Sequence, residues 1–145
     1  MKSTKTVAEL LESKGHDIYS VGPDALVFEA IRTMSDKGVG ALLVMDGAKA
    51  VGVVSERDYA RKMILQGRTS DKTYVREIMT SEVIFCQPDL TVQECMALMT
   101  ENHVRHLPVK DGDTLCGVVT IGDMVKATIA EQEFVISQLE SYISQ

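Results

Sequence analysis

The stretch Gly52-Val-Val-Ser55-Glu-Arg-Asp58 occurs a second time in the chain as Gly117-Val-Val-Thr120-Ile-Gly-Asp123. Each copy is an apolar segment typical of a strand, followed by a hydroxyl residue and, three positions later, by an aspartate where helical periodicity begins. A hydroxyl residue and an acid at this spacing are typical of a capping box, in which both side chains bond free N–H groups of the first helical turn. The motif therefore predicts two strand-to-helix junctions of the same kind.

The repeat extends well beyond these motifs. Residues 23–61 align without a gap to residues 88–126, and 14 of the 39 aligned positions are identical, so the similarity indicates a duplication. Two copies are too few for a solenoid. The predicted organisation is repeat 1 over residues 1–67, a linker over residues 68–74, repeat 2 over residues 75–128 and a C-terminal helix over residues 129–145.

Each repeat has the same predicted order of elements. A short helix (7–13; 75–79) and a strand (18–21; 83–86) precede a helix with apolar residues at helical spacing from Val27 and from Val92. Two strands follow (41–45 and 50–54; 106–110 and 115–119), joined by an Asp-Gly pair that is typical of hairpins. A closing helix starts at Asp58, ending near Gln66, and at Asp123. The predicted fold class is α+β (α/β), built from two β-α-β-β-α units that are each too small to fold alone.

Composition excludes several classes of function. The net charge of −6 disfavours non-specific binding to nucleic acid, which usually requires a basic face. No apolar run approaches the length of a membrane span. The polar start Met1-Lys-Ser-Thr-Lys5 lacks the apolar core of a signal peptide, so we expect a cytoplasmic protein with neither a nucleic-acid nor a membrane partner.

The sequence offers little support for metal binding or catalysis. Cys86, Cys95 and Cys116 are an odd number at spacings that suit neither a disulfide framework nor a zinc knuckle, and the last two are predicted to be small buried hydrophobes. His103 and His106 lack a third ligand at a suitable spacing, so no metal site is predicted. No catalytic triad or Walker-type loop is evident. An enzyme that uses the Cys86 thiol is an alternative that nothing in the spacing favours.

The two motifs could also form a nucleotide site. A carboxylate such as Asp58 or Asp123 can accept hydrogen bonds from both vicinal hydroxyls of a ribose. Ser55 or Thr120, at a helix N-terminus, could contact a phosphate. The glycines that open the two motifs would let a flat purine lie close to the backbone. A mononucleotide fits this set of groups.

Positive charges near the motifs differ between the repeats. His103, Arg105 and His106 lie within four positions, and repeat 1 has uncharged residues in their places. Arg57 stands between Ser55 and Asp58, where repeat 2 has a glycine. Arg105 could equally be a solvated charge at a strand end. The two copies therefore cannot bind a phosphorylated ligand identically.

These features resemble the tandem cystathionine-β-synthase (CBS) domain pair, often called a Bateman module. The resemblance rests on the duplicated unit, the two motifs and Val104-Arg-His-Leu-Pro-Val109, and it covers the chain from about Val7 to Ala127. It implies a pseudo-twofold disk with two clefts between the repeats, adenosine ligands and a homodimer. Without an attached catalytic domain, such a chain would be a stand-alone sensor acting on an unknown target protein.

The resemblance also implies which residues contact ligand. One set is Ser55, Arg57 and Asp58, facing Thr80, Val83, Arg105 and His106; the other is Thr120 and Asp123, facing Gly15, Ile18, Tyr19 and Gly40. The first set holds nearly all the cations, so we expect it to bind phosphorylated ligands more tightly. The expected ligands are AMP, ADP, ATP or NAD(H), with S-adenosylmethionine less favoured because of the cations and with no metal required.

A second interpretation needs no ligand. The Ser/Thr-x-x-Asp motifs would then only cap helices, and the chain would be a module for protein interaction or dimerisation. Its working surface would be the C-terminal segment, where Ile129, Ile136 and Ile143 are seven residues apart. That segment could instead pack on its own domain.

Overall fold

The chain forms two compact units in a computed structural model that describes residues 5–144. One unit comprises residues 18–84 and contains Asp58; the other comprises residues 5–17 and 85–144 and contains Asp123. We call them the Asp58 unit and the Asp123 unit. The first helix, α1 (Val7–Lys14), belongs to repeat 1 by sequence and to the Asp123 unit by contact. The predicted repeat boundaries stay a prediction, and the ends at Met1 and Gln145 lie outside the described residues.

The Asp58 unit is a three-stranded sheet covered by helices. It contains β1 (Ser20–Val21), α2 (Val27–Lys37), β2 (Ala41–Asp46), β3 (Lys49–Ser55), α3 (Glu56–Lys62) and 3-10 turns at Ile64–Gln66 and Val75–Glu77. The sheet order is β1-β2-β3, with β1 parallel and β3 antiparallel to β2. The predicted Asp-Gly hairpin is confirmed, because Gly47 has a φ of 61° in the turn between β2 and β3.

The core of the Asp58 unit is built from the faces that the sequence pattern predicts. Val27, Ala30 and Met34 of α2 are buried, as helical spacing requires, against Leu42 and Val44 of β2. The buried Val75 and Ile78 lie in the same cluster. The 3-10 turn that opens repeat 2 therefore contributes side chains to the core of the Asp58 unit.

The closing helix of this unit is shorter than predicted. Helix α3 ends at Lys62 rather than near Gln66, and Met63, with φ −109° and ψ −68°, separates it from the 3-10 turn Ile64–Gln66. Met63 is 1% exposed and belongs to the core, so the α-helix gives way to the 3-10 turn at a buried side chain. The following 3-10 turn ends at Gly67 in the left-handed conformation that favours glycine.

The Asp123 unit has a two-stranded sheet and three helices. Besides α1 it contains α4 (Val92–Asn102), β4 (His106–Asp111), β5 (Thr114–Thr120) and α5 (Ile121–Ile143), with β4 and β5 antiparallel. Thr6 caps α1, and the N–H groups of Val7 and Ala8 donate to the carbonyls of Leu90 and Pro88. These bonds attach α1 to the segment that precedes α4.

The strand predicted over residues 83–86 is not formed; the backbone makes a single parallel bridge between Cys86 and Val109. In the Asp58 unit the corresponding ladder includes a bond from Leu43 N–H to the Tyr19 carbonyl. The position equivalent to Leu43 in repeat 2 is Pro108. Proline has no N–H to donate, so the ladder cannot extend from Cys86 to the residues before it in the chain.

Candidate functional site

Ser55 and Asp58 join strand β3 to helix α3 through a complete capping box. Asp58 N–H donates to Ser55 Oγ at 3.1 Å, and Asp58 Oδ2 accepts from the N–H and the hydroxyl of Ser55, each at 3.0 Å. Asp58 Oδ1 lies 3.2 Å from Lys62 Nζ, which also donates to the Ile78 carbonyl. The predicted cap is confirmed, and the carboxylate side chain remains 13% exposed.

Thr120 and Asp123 form the same junction between β5 and α5. Asp123 N–H donates to Thr120 Oγ1 at 3.1 Å, and Thr120 N–H donates to Asp123 Oδ2 at 2.8 Å. The same Oδ2 lies 2.6 Å from Lys14 Nζ, which donates to the Val118 carbonyl at 2.7 Å. Both aspartates therefore serve as helix caps and as ion-pair partners of a lysine.

The two lysines reach their aspartates by different routes. Lys62 is four positions after Asp58 on the same helix, a spacing at which opposite charges meet, so the sequence carried a signal for this pair. Repeat 2 has Ala127 at the position of Lys62. Asp123 instead pairs with Lys14, which is 109 positions away in the chain, at the end of α1. Neither lysine was among the predicted site residues, and only the packing of α1 brings Lys14 to the site.

Arg105 and His106 lie beside Thr120 and Asp123 within the Asp123 unit. His106 is the register partner of Thr120 across the β4–β5 ladder, and the Arg105 carbonyl accepts a hydrogen bond from Ile121 N–H at 2.9 Å. Burial lowers the pKa of His106; the charges of Lys14 and Arg105 lower it further, and Asp123 opposes them. Asp123 therefore lies near Lys14, its ion-pair partner, and near His106 in the same unit.

His103 has a structural role that the charge pattern did not indicate. It ends α4 in the left-handed conformation, with φ 54° and ψ 40°. Gly38, its counterpart in repeat 1, ends α2 in the same conformation with φ 66°. Both repeats thus stop their central helix by the same backbone turn, and in repeat 2 a histidine takes the place that glycine usually fills.

The lowered pKa of His106 predicts a pH dependence of stability. The folded chain disfavours protonated His106, so the unfolded chain binds more protons, and stability should fall as the pH drops through the ordinary histidine value of 6.5. Urea unfolding of the wild type at pH 7.5 and 5.5 should show this loss, and His106→Gln should reduce it. Equal losses in the two proteins would contradict the assignment to His106.

The remaining predicted residues divide between the two units. The Asp58 unit holds Ser55, Arg57, Asp58, Thr80, Val83, Ile18, Tyr19 and Gly40, and the Asp123 unit holds Gly15, Arg105, His106, Thr120 and Asp123.

Thr80 pairs with Val53 through two backbone hydrogen bonds of 2.9 Å. Gly40 accepts from Glu56 N–H at the start of α3, and Arg57 is exposed on the first turn of that helix. Gly15 ends α1 with φ 107°.

The glycines before the hydroxyl residues have a different role from the one predicted. A Cβ atom on Gly52 would lie 2.7 Å from Met79 Sδ and 2.9 Å from the Thr80 carbonyl oxygen. A Cβ atom on Gly117 would lie 2.9 Å from Leu11 Cδ2. Atoms of the same unit fill the space beside each glycine. Close internal packing therefore explains why glycine occupies these two positions, and the approach of a purine is not the reason.

Two of the three cysteine side chains are buried next to each other. Cys86 and Cys95 are buried, and the neighbouring Cys95 thiol together with burial raises the pKa of Cys86 well above its usual range. A thiol with a raised pKa is a poor nucleophile. Cys95 is buried as predicted, whereas Cys116 is only partly buried in β5.

Among residues 5–144, no group of three or more histidine, cysteine or acidic side chains could hold a metal ion. No helix in that range has the length and apolarity to cross a membrane.

Comparison with known proteins identifies the family. The CBS domain sequence pattern matches residues 7–65 and again residues 75–130. The mitochondrial CBS domain-containing protein CBSX3 of Arabidopsis thaliana is 37% identical over 95% of this chain and 71% of its own length. A solved protein with CBS domains from Burkholderia ambifaria MC40-6 is 51% identical, with a TM-score of 0.85 over 88% of this chain and 96% of that one.

A further solved structure is the CBS domain pair of protein MJ0100, in complex with 5′-methylthioadenosine and S-adenosyl-L-methionine. It is 22% identical to this chain, with a TM-score of 0.76, and the match covers 88% of this chain and 98% of that one. At this identity the likeness concerns the fold. The two family matches, the high identity of the nearer relatives and the repeated strand-to-helix junctions agree, and the chain belongs to the CBS domain family as a tandem pair of these domains.

Proposed function

We propose that this CBS pair is a non-catalytic sensor that binds an adenosine nucleotide, AMP, ADP, ATP or NAD(H), and signals to a target protein still to be identified. CBS domain pairs are regulatory modules. The observation that carries the nucleotide proposal is the duplicated carboxylate, at Asp58 and at Asp123, each beside a hydroxyl residue at a strand-to-helix junction and each next to a lysine. The proposed sensor is a homodimer in the cytoplasm, although the Arabidopsis relative is named as mitochondrial.

The carboxylates can cap a helix and bind a ribose at the same time. An ionised carboxylate offers about four acceptor positions, and the cap bonds to Asp58 use only Oδ2. The other positions can accept the two ribose hydroxyls. Lys62 and Lys14 are long and substantially exposed, and such ion pairs are worth only about 0–1 kcal/mol. A ligand can displace either lysine at small cost.

The phosphates would be bound by cations near the junctions. Arg57 stands two positions after Ser55, and Arg105 and His106 lie beside Thr120. Lys14 adds a third positive group, after Arg57 and Arg105, that can turn from Asp123 to a phosphate oxygen, and the uncharged His106 can donate a hydrogen bond. A chain with a net charge of −6 that concentrates cations at these places is suited to select an anionic ligand locally. The same cations disfavour S-adenosylmethionine, whose sulfonium is positive.

The choice of adenosine is supported by the ligands named for the MJ0100 domain pair. That protein shares only the fold with this chain, and its two ligands have adenosine in common. The ribose contact proposed for Asp58 and Asp123 depends on the sugar alone, so the base is the part of the ligand that an experiment must establish.

The proposal is tested by the melting temperature of the full chain with and without ligand. A ligand that binds only the folded state, present at about a hundred times its dissociation constant, adds about 2.7 kcal/mol of stability. For a chain of this size that corresponds to a rise of about 5–10 °C. AMP or NAD should produce the rise, and inosine monophosphate measured in parallel shows whether the base contributes to binding. No shift with any adenosine compound up to millimolar concentration would contradict the proposal.

A second candidate function is a ligand-independent interaction module. Both capping boxes are closed, so helix capping by itself is sufficient to account for the repeated motif. In that case nucleotides would leave the melting temperature unchanged, and deletion of residues 131–145 would abolish the contact with a protein partner. The thermal measurement separates the two functions.

A further inference from the structure

Helix α5 carries an apolar stripe that its own unit does not cover. The helix packs through the buried Met124 and Ala127, and every described residue from Ile136 onward is exposed. About 100° around the helix from this packed face, at 3.6 residues per turn, runs a second line of side chains, which we call the α5 stripe. It consists of Val125, Ile129, Gln132, Ile136, Leu139 and Ile143. The apolar members are 43% to 81% exposed.

The spacing of the α5 stripe is that of a coiled-coil seam. Its members are separated alternately by four and three residues, so Ile129, Ile136 and Ile143 occupy one core position of a heptad and Val125, Gln132 and Leu139 the other. Side chains at these positions insert as knobs between four residues of a facing helix. The stripe is therefore shaped to receive another helix.

A second copy of α5 running in the opposite direction pairs with the stripe along its whole length and sets apolar side chains against each other in four of the six pairs. Val125 faces Ile143 of the second copy, Ile129 faces its Leu139, and Gln132 faces its Ile136. In this register the half of α5 that projects beyond its own unit lies along the half of the other α5 that is attached to its unit. Each projecting end is therefore covered by the attached half of the other helix.

The charges beside the stripe favour the antiparallel direction. Lys126, Glu133 and Glu140 follow one another at seven-residue spacing on the flank away from the packed face. Antiparallel pairing sets Lys126 beside Glu140 of the second copy at both ends of the pair, and Glu133 beside its own equivalent once at the centre. A parallel pair would set Glu133 and Glu140 beside Thr128 and Val135 of the other helix and gain no ion pair.

From this match we infer that the α5 stripe is the docking surface for a second copy of this chain, as an antiparallel two-helix coiled coil. The inference rests on the homodimer of the proposed function and adds the surface and the direction of pairing. Large apolar side chains exposed along one face of a helix usually mark an interaction surface.

The first test measures the mass of the full chain by sedimentation over a range of concentrations. The wild type should have twice the monomer mass of 15.9 kDa. Leu139→Asp should raise the dimer dissociation constant at least 100-fold. Phe134→Asp is the matched control: Phe134 is 65% exposed on the opposite side of the same helix, so its replacement should leave the mass unchanged. A monomeric wild type, or equal effects of the two variants, would overturn the inference.

The second test measures direction. Lys126→Glu and Glu140→Lys should each weaken the dimer, and the double variant should restore it. Ile129→Cys with Leu139→Cys should form a disulfide between copies under mild oxidation, in a Cys116→Ser background, whereas Ile129→Cys alone should not. Cross-linking by Ile129→Cys alone, or a double charge variant weaker than either single one, would overturn the antiparallel arrangement.

Failure of this inference is distinguishable from failure of the proposed function. Mass and cross-linking are measured without ligand, and nucleotide binding is measured by the thermal shift. A dimeric wild type that Leu139→Asp does not dissociate would retain the proposed homodimer and overturn its assignment to α5. Monomeric Leu139→Asp protein with an undiminished nucleotide shift would support both proposals.

Discussion

Leu11→Ala is expected to lower the free energy of unfolding by about 2–5 kcal/mol, the range for removing a leucine side chain from a packed core. Leu11 is 1% exposed on α1, and its Cδ2 atom closely approaches Gly117 of β5. The alanine would leave a cavity between the helix and the strand. Urea unfolding monitored by circular dichroism measures the effect. Leu65→Ala is the control, because Leu65 is 79% exposed and its loss should change stability by no more than about 0.5 kcal/mol.

The region that Leu11→Ala destabilises shows whether α1 packs in the Asp123 unit or on the rest of its own repeat. Since α1 packs in the Asp123 unit, Leu11→Ala should raise amide hydrogen exchange first in residues 85–127. If α1 instead stabilised the rest of its own repeat, the increase would appear in residues 18–66. That result would contradict the assignment of α1 to the Asp123 unit.

Replacing both carboxylates should remove the nucleotide-dependent rise in melting temperature. We expect Asp58→Ala to reduce the rise in part and Asp58→Ala with Asp123→Ala to abolish it, because each aspartate is the proposed acceptor for one ribose diol. The measurement is the difference in melting temperature with and without AMP or NAD, taken separately for each variant. A single carboxylate that carried the whole rise would show that only one ribose site exists.

Loss of the caps must be separated from loss of ligand. Each substitution removes a capping box, which costs about 0.5–2 kcal/mol even without ligand. Glu94→Ala is the matched control, since Glu94 and Thr91 form a third capping box, at the start of α4, outside the proposed ligand contacts. Glu94→Ala should destabilise the chain similarly and keep the full ligand-dependent rise. An undiminished rise in the double aspartate variant would exclude the carboxylates as ligand groups.

The junctions, the hairpins and the central helices could be predicted because they depend on neighbours in the chain. A capping box joins residues three positions apart, an Asp-Gly turn needs one glycine at positive φ, and an amphipathic helix such as α2 repeats within two turns. The aspartates and hydroxyl residues of the candidate site were found for the same reason. The exposed stripe on α5 was also visible as a seven-residue spacing of isoleucines.

By itself the sequence determined the duplicated unit, its order of elements and the two capped junctions, since all of these arise from hydrogen bonds and side-chain periodicity within a few residues. Only the tertiary structure decided that α1 packs in the Asp123 unit, that Lys14 reaches Asp123, and that Gly52 and Gly117 are needed for close internal packing. It also decided that Pro108 lies where the missing strand would have required an N–H donor. These features depend on which distant segments come into contact, and packing of the whole unit selects those contacts.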